Sequence, residues 1–192
     1  MRSIAVYCGS KVGKNPRYAK EAANLGRLLA SRNIRLVYGG GKVGLMGIVS
    51  EAVMAAGGKA FGVITEQLNQ LEVGNTNITD LRIVDTMHKR KMLMSDESDA
   101  TIILPGAVGT LDELFEWVTW TQLKIHGKPC GILNIAGYYD HLLAHLDRTI
   151  EEGFFDPKYK SLWIVGTQAS VLLDRMAAWK PPHLAPEQYN LA

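Results

Sequence analysis

Thr101-Ile102-Ile103-Leu104-Pro105-Gly106-Ala107-Val108-Gly109-Thr110-Leu111-Asp112-Glu113 is the stretch whose reading decides the fold. A short, apolar, β-rich run stops at a proline and a pair of glycines, and a helical pattern comes next, from Thr110 to Ile125. The same order recurs on both sides. Strand patterns at Ile4 to Cys8, Ile34 to Tyr38 and Ala60 to Ile64 precede it, with helices expected over Pro16 to Ser31 and Leu45 to Ala56. A strand at Leu81 to Val84 and a helix over Thr86 to Glu97 lead into it. Strands at Gly131 to Ile135 and Leu162 to Val165, with helices over Tyr138 to Glu151 and Gln168 to Trp179, come after it. Thr65 to Asp80 reads as a long loop with a turn near Gly74-Asn75.

Strand–helix alternation of this kind implies an α/β fold, a doubly wound and mostly parallel sheet with helices on both faces. It forms one domain over residues 1–180, with a terminal arm from 181 to 192. Ligands of such sheets bind beyond the carboxyl ends of the strands. The segments after Cys8, Tyr38 and Leu104 are therefore the ones to read for function.

Bulk properties exclude several classes. The chain has 192 residues, 47% of them hydrophobic and 21% charged, with a net charge of +2. That balance lacks the basic field expected of a nucleic-acid or membrane-surface binder. No apolar run reaches membrane-spanning length. Two cysteines, Cys8 and Cys130, form no disulfide framework and no metal-ligand spacing, which fits a reducing, cytoplasmic setting. Cys8 reads as a small core residue, since no partner base for a nucleophile is identifiable.

Three glycine-bearing loops could cradle a phosphate. Gly9-Ser10 comes directly after the first strand, and alone it is ordinary turn chemistry. Gly39-Gly40-Gly41-Lys42-Val43-Gly44 has the spacing G-x-G-x-x-G and opens a helix, but lacks the Gly-Lys-Ser/Thr ending of a Walker A loop. It is either an anion site or a close-packing turn, and five glycines from Gly39 to Gly47 favour the former. A dinucleotide oxidoreductase would place its acid near Glu66, but this loop comes after the second strand rather than the first. The third loop is Pro105 to Thr110.

Two charge patterns accompany the loops. Thr110-x-x-Glu113 has the spacing of a capping box, so Glu113 is either a cap or a functional carboxylate. Glu116 lies one turn on, as a second carboxylate or a solvated charge. Met87-His88-Lys89-Arg90-Lys91 puts potential cations at a helix N-terminus, where the macrodipole disfavours them. Lys89 reads as solvated. Arg90 reads as functional, because its planar fork suits oxyanions. His141 and His145 lack the Glu of a zincin helix.

Taken together, these segments resemble the LOG (Lonely Guy) family of phosphoribohydrolases, whose members were once labelled lysine decarboxylases. The matching residues are Tyr7-Cys8-Gly9-Ser10, Val37 to Gly41, Val43 to Gly47, Met87 to Lys91 and Pro105 to Glu113. Trp120-Thr121-Gln122-Leu123, Gly137 to Asp140 and Glu151 to Phe154 extend the match. The resemblance implies a Rossmann-like fold and hydrolysis of the N-glycosidic bond of a nucleoside 5′-monophosphate, without metal or other cofactor. It makes Arg90 and Glu113 catalytic. Gly9, Ser10, Gly39, Gly40, Gly41, Glu72, Met87, Lys91, Pro105, Gly106, Ala107, Val108, Gly109, Thr110 and Glu116 become substrate contacts. It also implies a homodimer, for which the helix bearing Trp117 and Trp120 is the candidate face. The family signature P-G-G-x-G-T-x-x-E is met except at Ala107, where a glycine is usual; a position needing positive φ would strain alanine. The alternative is a nucleotide-binding or carrier module of the same fold that performs no hydrolysis.

Overall fold

The computed structural model describes residues 1–72 and 74–182, with the side chain of Glu72 outside the description. Among the described residues, seven strands alternate with seven α-helices. In chain order they are β1 (Ser3–Tyr7), α1 (Pro16–Ser31), β2 (Arg35–Tyr38), α2 (Gly44–Ala55), β3 (Ala60–Thr65), α3 (Glu66–Glu72) and β4 (Asp80–Val84). Next come α4 (Met87–Asp96), β5 (Ala100–Ile103), α5 (Val108–Gln122), β6 (Cys130–Leu133), α6 (Asp140–Glu151), β7 (Trp163–Gly166) and α7 (Ala169–Ala178). The strands form one parallel sheet in the order β4-β3-β2-β1-β5-β6-β7.

That order places the site. The chain moves outward from β1 to β4, returns through α4, and resumes on the other side of β1 at β5. Right-handed crossovers put helices on one face while the chain moves one way and on the other face when it reverses. Alternate strand residues divide accordingly. Ile4, Val6, Leu36 and Ile102 join the core under α1, α2 and α7. Ala5, Tyr7, Val37 and Ile103 join the core with Met94 of α4, Leu114 and Trp117 of α5 and Leu142 of α6. The reversal lies between β1 and β5, where the loops after them diverge and leave a crevice.

Most boundaries shift by a residue or more from the sequence reading, α5 ending at Gln122 instead of Ile125 and β6 at Leu133 instead of Ile135, and three of the differences bear on the crevice. Residues 66–72 form α3 within the stretch expected to be a loop, and Gly74 and Asn75 tie the segment beyond it to the second glycine loop. Gly74 bridges Gly41, and Asn75 N–H donates to Gly40 O at 2.8 Å. α5 begins at Val108, two residues earlier than expected. Residues 135–137 form a short 3₁₀ turn, and α6 starts only at Asp140. Residues 183–192 of the expected terminal arm lie outside the described residues.

Trp117 is 2% exposed, packs edge-on to Tyr7 and donates from Nε1 to Lys128 O at 3.3 Å. It belongs to this chain's own core and so cannot serve as a docking face. Trp117→Ala should lower the unfolding free energy in urea by roughly 3–5 kcal/mol, the usual cost of emptying a buried aromatic site.

Candidate active site

A cavity of about 510 Å³ occupies the crevice above β1, β2 and β5. Its floor and walls come from the expected loops: Gly9, Ser10, Gly39, Pro105, Gly106, Ala107, Gly109 and Thr110 all line it, with Met87, Arg90 and Glu113. The loops are cross-tied. Gly9 N–H donates to Pro105 O at 3.0 Å, and Leu45 N–H donates to Gly9 O at 3.0 Å.

Arg90 is the centre of this arrangement. α4 starts where it does because Thr86 caps it, its hydroxyl accepting from Lys89 N–H at 3.2 Å. One turn in, the Arg90 side chain drops beneath the strand ends, only 7% exposed. Nε donates to Val63 O at 2.9 Å and Nη2 to Gly39 O at 3.1 Å. Nη1 is left toward Glu113, 3.9 Å from Oε1. A Cβ on Gly39 would collide with Arg90 Nη2. Gly39 is therefore glycine to admit a guanidinium. Its neighbours serve packing: Gly40 is folded against Ile64 and Leu81, and Gly41 pairs with Gly74. Neither lines the cavity.

The other early cations of α4 are also accounted for. Lys89 pairs with Asp85 at 2.7 Å on the surface. Lys91 reaches Glu116 at 2.9 Å and Asp112 at 3.2 Å. Lys91 and Glu116 thus sit beside the cavity, bound to each other, rather than lining it. Val108 points into solvent, 81% exposed.

Glu113 is not a cap. The N-cap of α5 is Ala107, so Thr110 is the third helical residue and the expected capping box has no register. No side chain caps this helix, and its first N–H groups face the crevice. Ala107 has φ −105° and ψ −151°, an extended backbone that alanine adopts without strain. Glycine freedom is needed instead at Gly106, where a Cβ would strike Thr110 Oγ1.

The Glu113 carboxyl is 12% exposed. Burial pushes its pKa up to about 7; Arg90 opposes the rise, Asp112 adds to it, and Lys91 and Glu116 pull in opposite directions with smaller effect. Burial also raises the Tyr7 hydroxyl, with the Glu113 charge reinforcing it. The site therefore holds a carboxylate whose protonation is balanced near neutrality beside a fixed cation.

An aromatic rim completes the crevice, and the sequence reading gave it no role in the site. Tyr138 donates to Gly106 O at 2.5 Å and stacks edge-on with Tyr18 at 5.6 Å; both line the cavity. Tyr139 OH donates to Leu104 O at 2.6 Å from below. Gly137 to Asp140 stood among the matching segments, but its distance from the glycine loops in sequence hid the contact. Leu45 and Met46, also in a matching segment, join Leu68 in an apolar wall that the sequence reading did not assign to substrate.

Two substitutions separate these roles. Gly39→Ala should push the guanidinium off its carbonyls and raise the Glu113 titration midpoint, which Arg90 holds down, as read by NMR on protein with ¹³C-labelled glutamate carboxyls. Ala107→Gly should leave that midpoint unchanged, while costing about 0.4–1 kcal/mol in thermal unfolding through a freer unfolded chain.

A family profile described as "Possible lysine decarboxylase" matches residues 46–176. Cytokinin riboside 5′-monophosphate phosphoribohydrolase LOG3 of Arabidopsis thaliana is 45% identical over 182 residues, covering 95% of this chain and 85% of the relative. LOG1 of the same plant, with the same activity in its name, is 43% identical over 182 residues, covering 95% and 85%. Among solved structures, the molybdenum cofactor binding protein of Rippkaea orientalis superposes with a TM-score of 0.69 at 21% identity, covering 92% of this chain and 95% of that one. The molybdenum cofactor carrier protein of Chlamydomonas reinhardtii gives 0.66 at 18%, covering 92% and 98%. At those identities the likeness is one of fold alone. The identity to the plant enzymes, sustained along nearly the whole chain, makes this chain a member of the LOG family.

Proposed function

We propose that the protein hydrolyses the N-glycosidic bond of nucleoside 5′-monophosphates, cytokinin riboside 5′-monophosphate or AMP, releasing the free base and ribose 5-phosphate. The observation that carries the reading is the buried Arg90–Glu113 pair at the bottom of a phosphate-sized turn. The cavity volume lies within the usual range for small-molecule sites, roughly 300–1,000 Å³. The uncapped start of α5, with Ser10 and Thr110, offers N–H and hydroxyl donors to a phosphate. Leu45, Met46, Leu68 and Met87 offer an apolar surface for a base and any apolar substituent on it.

Cleavage of the glycosidic bond leaves positive charge on the sugar, as in other glycoside hydrolyses. An ionised Glu113 stabilises that cation and takes a proton from the attacking water, whose hydroxide joins C1′ as the bond to the base breaks. The protonated Glu113 then gives that proton up and the departing base takes one in its place, so that one water is consumed and Glu113 is ionised again. Arg90 holds Glu113 and the substrate in place. Lys11, a lysine at the cavity rim, is exposed, unlike the desolvated amine that imine-based decarboxylation uses. We assign the protein to the cytoplasm, where buried thiols such as Cys8 and Cys130 persist. No helix among the described residues is long and apolar enough to cross a membrane.

We also propose a homodimer. The outward face of α5 exposes Phe115 at 40%, and Phe154 stands 88% exposed nearby. Between them lies a groove of about 250 Å³ lined by Leu114, Val118, Leu146 and Trp163. Light scattering should give twice the chain mass, and Phe115→Asp with Phe154→Asp should halve it.

Incubation with AMP and with N6-prenylated AMP, followed by chromatography of the released base, tests the hydrolase reading. Base release by the parent, with a loss of about 100-fold or more in Glu113→Gln, is expected; binding without release would favour a carrier. Activity should rise with pH through about 7, because the ionised carboxylate is required. Stability should move the other way. Between the ordinary 4.5 and about 7 the folded chain holds a proton that the unfolded chain has lost. Unfolding free energy therefore falls by roughly 3 kcal/mol over that window, relative to Glu113→Gln.

A further inference from the structure

Lys91 comes next to Arg90 on α4, but points about a quarter-turn away, toward α5 rather than into the cavity. Its side chain is 13% exposed, and its ammonium touches two carboxylates of one helix: Glu116 at 2.9 Å and Asp112 at 3.2 Å. Asp112 and Glu116 are four residues apart and share a face of α5. Glu113 is one turn from Glu116 on the same helix and borders the strip that Asp112 and Glu116 share. The ammonium thus sits on the carboxylates to one side of the site's carboxylate, close enough for its charge to act on Glu113. It also joins α4 to α5 beside the one contact, Arg90 to Glu113, on which the site depends.

We propose that Lys91 is a positioning residue for Glu113: an ammonium that neutralises the carboxylates flanking it and fixes α5 against the Arg90 end of α4. The contact stands on its own; its effect on turnover rests on the hydrolase reading above. Two forces make it more than a surface pair. Burial by itself would lower the Lys91 pKa, and the hydrogen bonds it donates to Glu116 and Asp112 more than reverse that, so the lysine stays charged. Without it, Arg90 would oppose Asp112 and Glu116 alone, and both of those favour the neutral, inactive form of Glu113. The charged and titratable groups around Glu113 are Arg90 and Lys91 from α4, Asp112 and Glu116 from α5, Tyr7 at the end of β1 and Tyr139 before α6.

The two halves of the bridge then act in opposite senses. Lys91→Met removes a positive charge and should move the Glu113 titration midpoint up by about one pH unit, a tenfold loss of ionised carboxylate on the acid side. Glu116→Gln removes a negative charge and should move it down. Lys91→Arg should restore the parent midpoint. The midpoint is read by NMR on protein with ¹³C-labelled glutamate carboxyls, the Glu113 signal being the one absent from Glu113→Gln. The pH profile of kcat/KM on AMP is measured beside it, and its acid limb should shift with the midpoint. Shifts of the same sign in the two variants, or an unmoved midpoint in Lys91→Met with reduced melting temperature, would overturn the proposal by reducing the bridge to a tie. A raised KM in Lys91→Met at an unmoved midpoint would overturn it in favour of direct substrate contact. A parent that titrates normally but releases no base would count against the hydrolase reading and leave the electrostatic role standing.

Discussion

A guanidinium cannot leave water unless its donors find acceptors that do not move. The rest of this site is arranged around that requirement. Arg90 takes one carbonyl from the last part of β3 and one from the end of β2. Both are backbone atoms of a parallel sheet and therefore as rigid as anything in the molecule. The strand ends must lie open at that point, so residue 39 has no side chain. The helix carrying Arg90 must begin close to β4, and the Thr86 cap fixes that start. What remains of the guanidinium, Nη1, lies 3.9 Å from Met87 Sδ and 3.9 Å from Glu113 across the crevice.

The carboxylate illustrates a conflict that a stable protein would otherwise avoid. Glu113 is buried beside one cation and near two other carboxylates, and burial wins over attraction. The fold thus bears a cost at neutral pH for keeping a group poised to change its charge. Such a cost is usual where local rules are broken for function. The same reasoning applies at the start of α4, where cations crowd the positive end of a helix dipole. Three of them prove to have their own partners: Asp85 for Lys89, Glu113 for Arg90, and the Asp112–Glu116 pair for Lys91. The anomaly in charge order is largely the footprint of contacts across helices.

The α/β architecture is legible in the sequence because strand and helix periods differ and because glycine and proline punctuate each change. The three crevice loops are legible for the same reason. Their division of labour is not. G-x-G-x-x-G spacing suggests a phosphate cradle from Gly39 to Gly44, whereas Gly39 admits Arg90 and Gly40 and Gly41 pack against neighbouring backbone. The start of α5 reads two residues late because Thr110 looks like a cap; with Ala107 in that place, Glu113 is freed from a local role. The helix at residues 66–72 is capped by Thr65, whose hydroxyl accepts from Leu68 N–H at 3.3 Å, but its 7 residues are too few for a helical period to stand out from loop.

Local chemistry therefore determined, from sequence by itself, the strand–helix order, the loops that face a ligand and the charged residues that break the rules. These depend on neighbours within a few positions, and a sequence displays them directly. Tertiary structure alone decided which of those residues meet. Arg90 and Glu113 belong to helices on opposite sides of β5 in the chain, and their separation depends on where the sheet reverses direction. Whether Glu113 is a cap or a half-ionised acid, whether Trp117 is core or surface, and whether Lys91 faces substrate or two carboxylates are questions of burial and cross-helix distance. Those quantities come from packing the whole chain, and no local pattern encodes them.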